Sequence, residues 1–160
     1  MPNWCQNHLT VSGATPEFRA WLEKEGFSFE KMNPPRPPEL PNPNGCLTVE
    51  SQCEAWGTKW DLEDDVQRET AGELLEIGTA YFDTAWEPPI PALAALSRMF
   101  PDVSFRLQYC ELGMCFAGIA TFQGGECEEE SHDGETQVME IARGTFGFDD
   151  EETCEAEASA

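Results

Sequence analysis

Residues 103–122 read VSFRLQYCELGMCFAGIATF. Val103, Phe105, Leu107 and Tyr109 alternate with polar residues, which is the two-residue period of a strand with one buried face. A second apolar run, CFAGIATF at 115–122, follows across Leu112-Gly113-Met114. This predicts an antiparallel hairpin whose turn uses Gly113 for a positive φ. Upstream, Pro88, Pro89 and Pro91 open a helix with Leu93, Leu96 and Phe100 on one face, and Pro101 ends it. At the start of the chain, WCQNHLTVS at 4–12 alternates as a strand, with Cys5, Asn7, Leu9 and Val11 inward. Gly13 closes it. Thr15-Pro16-Glu17 then has the order of a helix start: a capping hydroxyl, proline at the first helical position and an acid in the first turn. Phe18, Trp21 and Leu22 form its apolar stripe, and Gly26 is its stop.

The middle of the chain is less regular. Residues 33–44, NPPRPPELPNPN, carry six prolines and predict extended, polyproline-like chain that connects rather than docks. CLTVESQCEAW at 46–56 has the spacing of a short helix. Residues 58–63 and 74–84 read as strands, with the polar segment Asp64 to Gly72 as the loop of their hairpin. The resulting order is βαββαβ plus one added strand. That is the ferredoxin-like α+β arrangement, with the helices expected on one face of the sheet. A domain of residues 1–124 would carry the Pro-rich insertion, and residues 125–160 would form an acidic extension. Within the extension, 124–135 reads as a charged loop, 136–148 as a segment docked on the domain, and 149–160 as disordered tail.

Composition narrows the function. There are 31 Asp and Glu against 9 Lys and Arg, a formal net charge of −22. Phosphate recognition needs cations that replace counterions, so direct nucleic-acid binding is disfavoured and a basic protein partner is favoured. Solubility or a salt-adapted source accounts for the same charge without any partner. No run reaches the roughly 20 apolar residues of a membrane helix, and no leader pattern opens the chain, so the expected place is the cytoplasm. The seven Cys (5, 46, 53, 110, 115, 127, 154) include no CxxC pair and are expected as reduced thiols.

Four blocks of sequence resemble a known family. These are Pro2-Asn3-Trp4-Cys5 with Asn7, Leu9, Val11 and Gly13; Trp56-Gly57-Thr58-Lys59-Trp60-Asp61; Thr84-Ala85-Trp86 with Pro88-Pro89; and Glu111 with Gly113, Phe116 and Gly118. Together they resemble the YubB-type ferredoxin-like family of phages and conjugative plasmids, over residues 2–118. The resemblance implies the ferredoxin-like fold and a mobile-element origin, and no reaction. Glu87 departs from it, because relatives often place a capping Ser there. The tail after Gly124 lies outside the pattern.

The family blocks supply site candidates: Asn3, Trp4, Asn7, Trp56, Lys59, Trp60, Asp61, Trp86, Glu111 and Gly113. A Lys between two Trp suits an anion, with cation–π help. The plainer reading packs Trp56 and Trp60 in the core and lets Lys59 point outward or pair with a buried Glu111. The second set is acidic: Asp61, Glu63, Asp64, Asp65, Glu69 and Glu73 in the expected hairpin loop, and Glu126, Glu128, Glu129, Glu130, Asp133 and Glu135 in the extension. Acids around His132 lack the EF-hand order, so no metal is expected. No nucleophile–base pair, P-loop or dinucleotide fingerprint is present, and neither catalytic residues nor a cofactor are expected. Two functions follow. One is a non-enzymatic acidic inhibitor that imitates DNA and occupies a basic, nucleic-acid-binding host protein, such as a CRISPR or other defence nuclease. The alternative is a small ligand- or nucleotide-binding module, or an enzyme, that uses an open sheet face near Lys59, Trp60, Trp86 and Glu111.

Overall fold

A computed structural model describes residues 3–34 and 49–148. The expected polyproline stretch from residue 35 onward and the expected disordered tail at 149–160 lie outside the described residues. Five strands form one antiparallel sheet: β1 (Trp4–Ser12), β2 (Thr79–Ala85), β3 (Ser104–Glu111), β4 (Phe116–Gln123) and β5 (Glu126–His132), in the order β2-β1-β3-β4-β5. The helices are α1 (Pro16–Glu25), α2 (Phe29–Met32), α3 (Val49–Trp56), α4 (Asp64–Ile77), α5 (Ile90–Met99) and α6 (Glu135–Phe146). β2, α5 and β3 make a split β-α-β unit with β1 inserted between its strands, the hallmark expected of a ferredoxin-like sheet.

The local signals act as expected in α1, α5, β1, β3 and β4. Thr15 Oγ1 accepts from the Phe18 amide at 3.2 Å, Pro16 occupies the first turn, and Gly26 ends α1 at φ 76°. Phe18 carries α1 into the core, edge-on to Phe105 at 5.5 Å between ring centres. With Leu9, Leu93, Leu96 and Leu107 it forms the principal core on one face of the sheet.

Several expectations fail. Residues 58–63 form no strand, and the polar segment read as a hairpin loop is helix α4, which runs on through 74–77, so the strand expected at 74–84 begins only at Thr79. Thr70, Ala71 and Leu74 are its buried positions. They recur at helical spacing, but two of them are too small or too polar to register as an apolar stripe. Gly78, left-handed at φ 76°, stops α4 and releases the chain into β2. The charged loop expected at 124–135 contains β5, which extends the sheet. Gly124 and Gly125 both have positive φ, at 61° and 87°, and join β4 to β5. A two-residue turn of this kind matches the twist of a hairpin. The boundary drawn at residue 124 therefore falls inside a hairpin turn.

The helices do not all share one face. Val138, Met139 and Ala142 of α6 pack on Cys110, Cys115 and Ala117, on the face opposite the principal core. Gln108 Nε2 donates to Thr145 Oγ1 at 3.1 Å, and the Tyr81 hydroxyl donates to the Thr145 carbonyl at 3.3 Å. The sheet face expected to stay open thus carries a helix. Cys115 is disulfide-bonded, against the expectation of reduced thiols throughout, whereas Cys5, Cys53, Cys110 and Cys127 are free. No helix among the described residues is long and apolar enough to cross a membrane.

Because α6 closes a core of its own, Met139→Ala is expected to cost about 2–5 kcal/mol in denaturant unfolding, the range for truncating a buried side chain. A loss below about 0.5 kcal/mol, the level of an ordinary surface substitution, would mean that α6 is not part of the cooperative unit.

Candidate functional site

The four family-like sequence blocks meet at one end of the sheet, where β1 begins, β2 ends and β3 turns into β4. Asn7 is buried there. Its side-chain amide donates to the Cys5 carbonyl at 3.0 Å, the Phe82 carbonyl at 3.2 Å and Thr84 Oγ1 at 3.0 Å. Thr84 Oγ1 donates onward to the Glu87 carbonyl at 2.7 Å, and Thr58 Oγ1 donates to the Ala85 carbonyl at 2.7 Å. Trp86 adopts a left-handed φ of 71°, rare for a bulky residue, and its amide donates to the Asn3 carbonyl at 2.8 Å. Glu111, 2% exposed, accepts from the amides of Gly113 at 2.6 Å and Met114 at 2.8 Å.

These partners decide the role of the blocks. Glu111 is satisfied by backbone amides, not by Lys59, so the expected ion pair is not made. Gly113 is required for space rather than for positive φ. A Cβ there would stand 2.5 Å from Asn3 Nδ2 and 2.7 Å from the Glu111 carboxylate, while the left-handed residue of this turn is Cys115 at φ 58°. Burial and the neighbouring Glu111 push the Cys110 thiol up to about 12, and burial raises Cys5 as well. The blocks build a scaffold whose polar groups face inward.

What they present outward is aromatic. Trp56 is buried and donates from Nε1 to the Asn33 carbonyl at 2.9 Å, as a core residue would. Trp60 is not core: it is 43% exposed, beside Trp4 at 51%, with ring centres 6.4 Å apart. Lys59 Nζ lies 5.1 Å from the Trp60 ring centre. Trp86, 40% exposed, follows Ala85, the residue that pairs with Trp4.

The acidic candidates separate into distinct places. Asp61 is consumed structurally: its carboxylate accepts from Ser28 Oγ and from the amides of Phe29, Glu30 and Leu62 at 2.8–3.1 Å, capping α2. Glu63 and Asp64 lie at the start of α4. Asp65, Glu69 and Glu73 then recur every four residues on its exposed side, followed by Glu76. Glu126, Glu128 and Glu130 share one side of β5, and Glu129 turns to the other, where it accepts from the Tyr109 hydroxyl at 2.7 Å. Burial and this carboxylate push the Tyr109 hydroxyl well above its ordinary value. Asp133 and Glu135 lie at the passage from β5 to α6, and His132 Nε2 stands 3.4 Å from Glu130. α4 packs beside β2, at one edge of the sheet, and β5 is the other edge. Four strand spacings, about 19 Å, separate β2, beside which the α4 row lies, from the β5 row. They do not form one ridge.

A cleft between α3, the start of α5 and β5 is lined by Cys53, Glu87, Ile90, Tyr109, Phe116 and Glu129. The sequence signals did not point to it, because its lining comes from four distant segments. No group of three or more potential ligands among the described residues could hold a metal ion.

A family pattern described as the ferredoxin-like domain in Api92-like proteins matches residues 55–154. The chain belongs to this family. The ferredoxin-like domain of Api92-like proteins, as matched here, takes in β5 and α6, which the resemblance read from the sequence had left outside. No curated protein and no solved structure matches the chain.

Two outcomes test the site's physics. Glu111→Ala takes the acceptor from the partly buried Gly113 and Met114 amides and is expected to cost about 1–3 kcal/mol, with Glu111→Gln retaining part of the loss. Partial desolvation raises the Asp83 carboxyl above its ordinary value, although the residue keeps an exposed surface at the sheet edge. A raised folded value means that ionisation opposes folding, so the penalty is present at neutral pH and disappears as pH falls below the unfolded carboxyl range. Asp83→Asn should therefore raise Tm at pH 7 and leave it unchanged at pH 3. A Tm gain of equal size at both pH values would contradict this.

Proposed function

We propose that this chain is a non-enzymatic accessory protein of a mobile genetic element, of the YubB type. In this reading it imitates nucleic acid and occupies the cationic groove of a nucleic-acid-binding host protein, such as a CRISPR effector or another defence nuclease. The observation that carries the reading is the stripe Asp65, Glu69, Glu73 and Glu76 along the exposed side of α4, beside Glu63 and Asp64. The eleven steps from Asp65 to Glu76 rise about 16 Å along a helix. One DNA strand presents about five phosphates over that length. Four carboxylates there, with Arg68 beside them and Arg19 reaching the Leu75 carbonyl at the end of the helix, make a comparable row. The net charge of −22 adds long-range attraction toward a basic groove and repulsion from nucleic acid itself. Glu126, Glu128 and Glu130, on the far edge, contribute to that field but not to the same contact surface. As an exposed edge strand, β5 also uses its charges against strand-to-strand aggregation.

The test is competition on purified DNA-binding nucleases, with duplex DNA as the rival ligand. The chain should displace DNA at low salt and lose affinity steeply as salt rises. Asp65→Asn/Glu69→Gln/Glu73→Gln/Glu76→Gln together should weaken binding at least about tenfold, the equivalent of 1.4 kcal/mol. The combination Glu126→Gln/Glu128→Gln/Glu130→Gln should change it by much less. Displacement that survives neutralisation of the α4 stripe would end the mimicry reading.

A further inference from the structure

The sheet has two edges and treats them differently. β5 carries Glu at four of its seven positions and is exposed along nearly all of its length. β2, with the sequence TAYFDTA, carries one charge, Asp83. The hairpin expected from residues 58–63 with 74–84 would have covered β2. No such strand forms, and among the described residues β2 has β1 as its sole neighbour in the sheet.

The register shows which groups are left over. The Val11 amide donates to the Gly78 carbonyl, and the Trp86 amide donates to the Asn3 carbonyl. In an antiparallel pair, residues exchanging hydrogen bonds alternate with residues that do not. Ala80, Phe82 and Thr84 therefore bond to β1, and the amides and carbonyls of Thr79, Tyr81 and Asp83 point away from it. Among the described residues no backbone hydrogen bond reaches those outward groups. The close stack of Tyr81 on His8, with ring centres 4.2 Å apart, fits the non-bonded position this assigns to Tyr81.

A groove of about 380 Å³ runs beside this edge, lined by Trp4, Leu62, Glu63, Val66, Tyr81 and Asp83. Trp4, Tyr81 and Asp83 fall on the same side of the sheet by register, and Trp4 and Tyr81 are 51% and 57% exposed. Aromatic faces and carboxylates together suit Lys and Arg side chains. A second copy would bring another −22 charge to the same place.

We infer that the β2 edge is a strand-addition site. An extended segment of the partner, carrying Lys or Arg at alternate residues, pairs with Thr79, Tyr81 and Asp83 as a sixth strand. Its main chain supplies hydrogen bonds, and its alternate side chains lie against Trp4, Tyr81 and Asp83. The partner's charge rests on the function proposed above; the free edge does not.

The experiment uses the full chain and a nine-residue peptide of alternating Lys and Val. Amide hydrogen exchange is read by NMR at Thr79, Tyr81 and Asp83. The peptide should slow exchange at these three amides at least about tenfold. The same peptide with N-methylated backbone on its pairing side keeps its charge and should bind at least about tenfold more weakly. Asp83→Pro, which removes an outward amide and leaves the ladder to β1 intact, should do the same. The N-methylated arm decides if that variant does not fold. Binding without added protection at the three amides would overturn the edge site and leave the acidic reading standing. Equal protection by an alternating Glu and Val peptide would overturn the partner's charge and count against the acidic reading. No binding would overturn the inference. So would sedimentation of the free chain as a dimer that Asp83→Pro dissociates, because the edge would then belong to a second copy.

Discussion

The side-chain amide of Asn7 ties β1 to β2 at the end of the sheet where the candidate residues gather. It is buried between β1 and β2 and donates to a carbonyl on each strand and to the Thr84 hydroxyl, which passes the link to the Glu87 carbonyl. A sheet register can slip by one residue only by exchanging its two faces. A buried amide nitrogen that finds its acceptors in one register alone makes that slip costly, even though Asn7 Oδ1 has no hydrogen-bond partner among the described residues. The register fixed here decides that Tyr81 and Asp83 turn their backbone groups outward, and that Trp4 falls beside them. Both the exposed aromatic group and the unpaired edge depend on it.

Charge is then distributed around this frame by the demands of packing. Where an acid meets unpaired amides, it is absorbed: Asp61 caps α2, and Glu111 closes the turn between β3 and β4. Where a helix or an edge strand has a solvent side, acids fill it, as on α4 and β5. The two exposed rows face different surroundings. The α4 row adjoins an edge with aromatic side chains and free backbone groups. The β5 row lies on an edge whose charges alone discourage pairing. Similar residue types thus favour association at one margin of the sheet and oppose it at the other.

Most elements with an apolar stripe were legible in the chain. β1, β3 and β4 alternate cleanly, and α1 and α5 carry Thr-Pro or Pro signals at their starts and Gly or Pro at their ends. α4 was misread because its buried positions include Thr70 and Ala71, which add little hydrophobicity to mark the helical period. β5 was misread because an edge strand of this kind buries neither face, so no alternation marks it. The Gly124-Gly125 pair was its one local sign, a two-glycine turn of the hairpin kind. Of the site candidates, Trp56 lies in the core as its plainer reading had it, whereas Trp60 does not, and Gly113 is demanded by space rather than by the positive φ read from the sequence. The pairing of Lys59 with Glu111 was not realised, because the turn's own amides lie closer to that carboxylate.

The α+β class, the main core residues and the excess of negative charge could be read from the sequence alone. These follow from local periodicity, capping chemistry and a sum over side chains, none of which needs a third dimension. Only the folding of distant segments onto one another decided that α6 covers the second sheet face, that the acids form two rows on opposite edges, and that β2 has no outer neighbour among the described residues. Each of these is a relation between segments far apart in the chain. It is set by which surfaces must be buried together, and neighbouring residues carry no record of it.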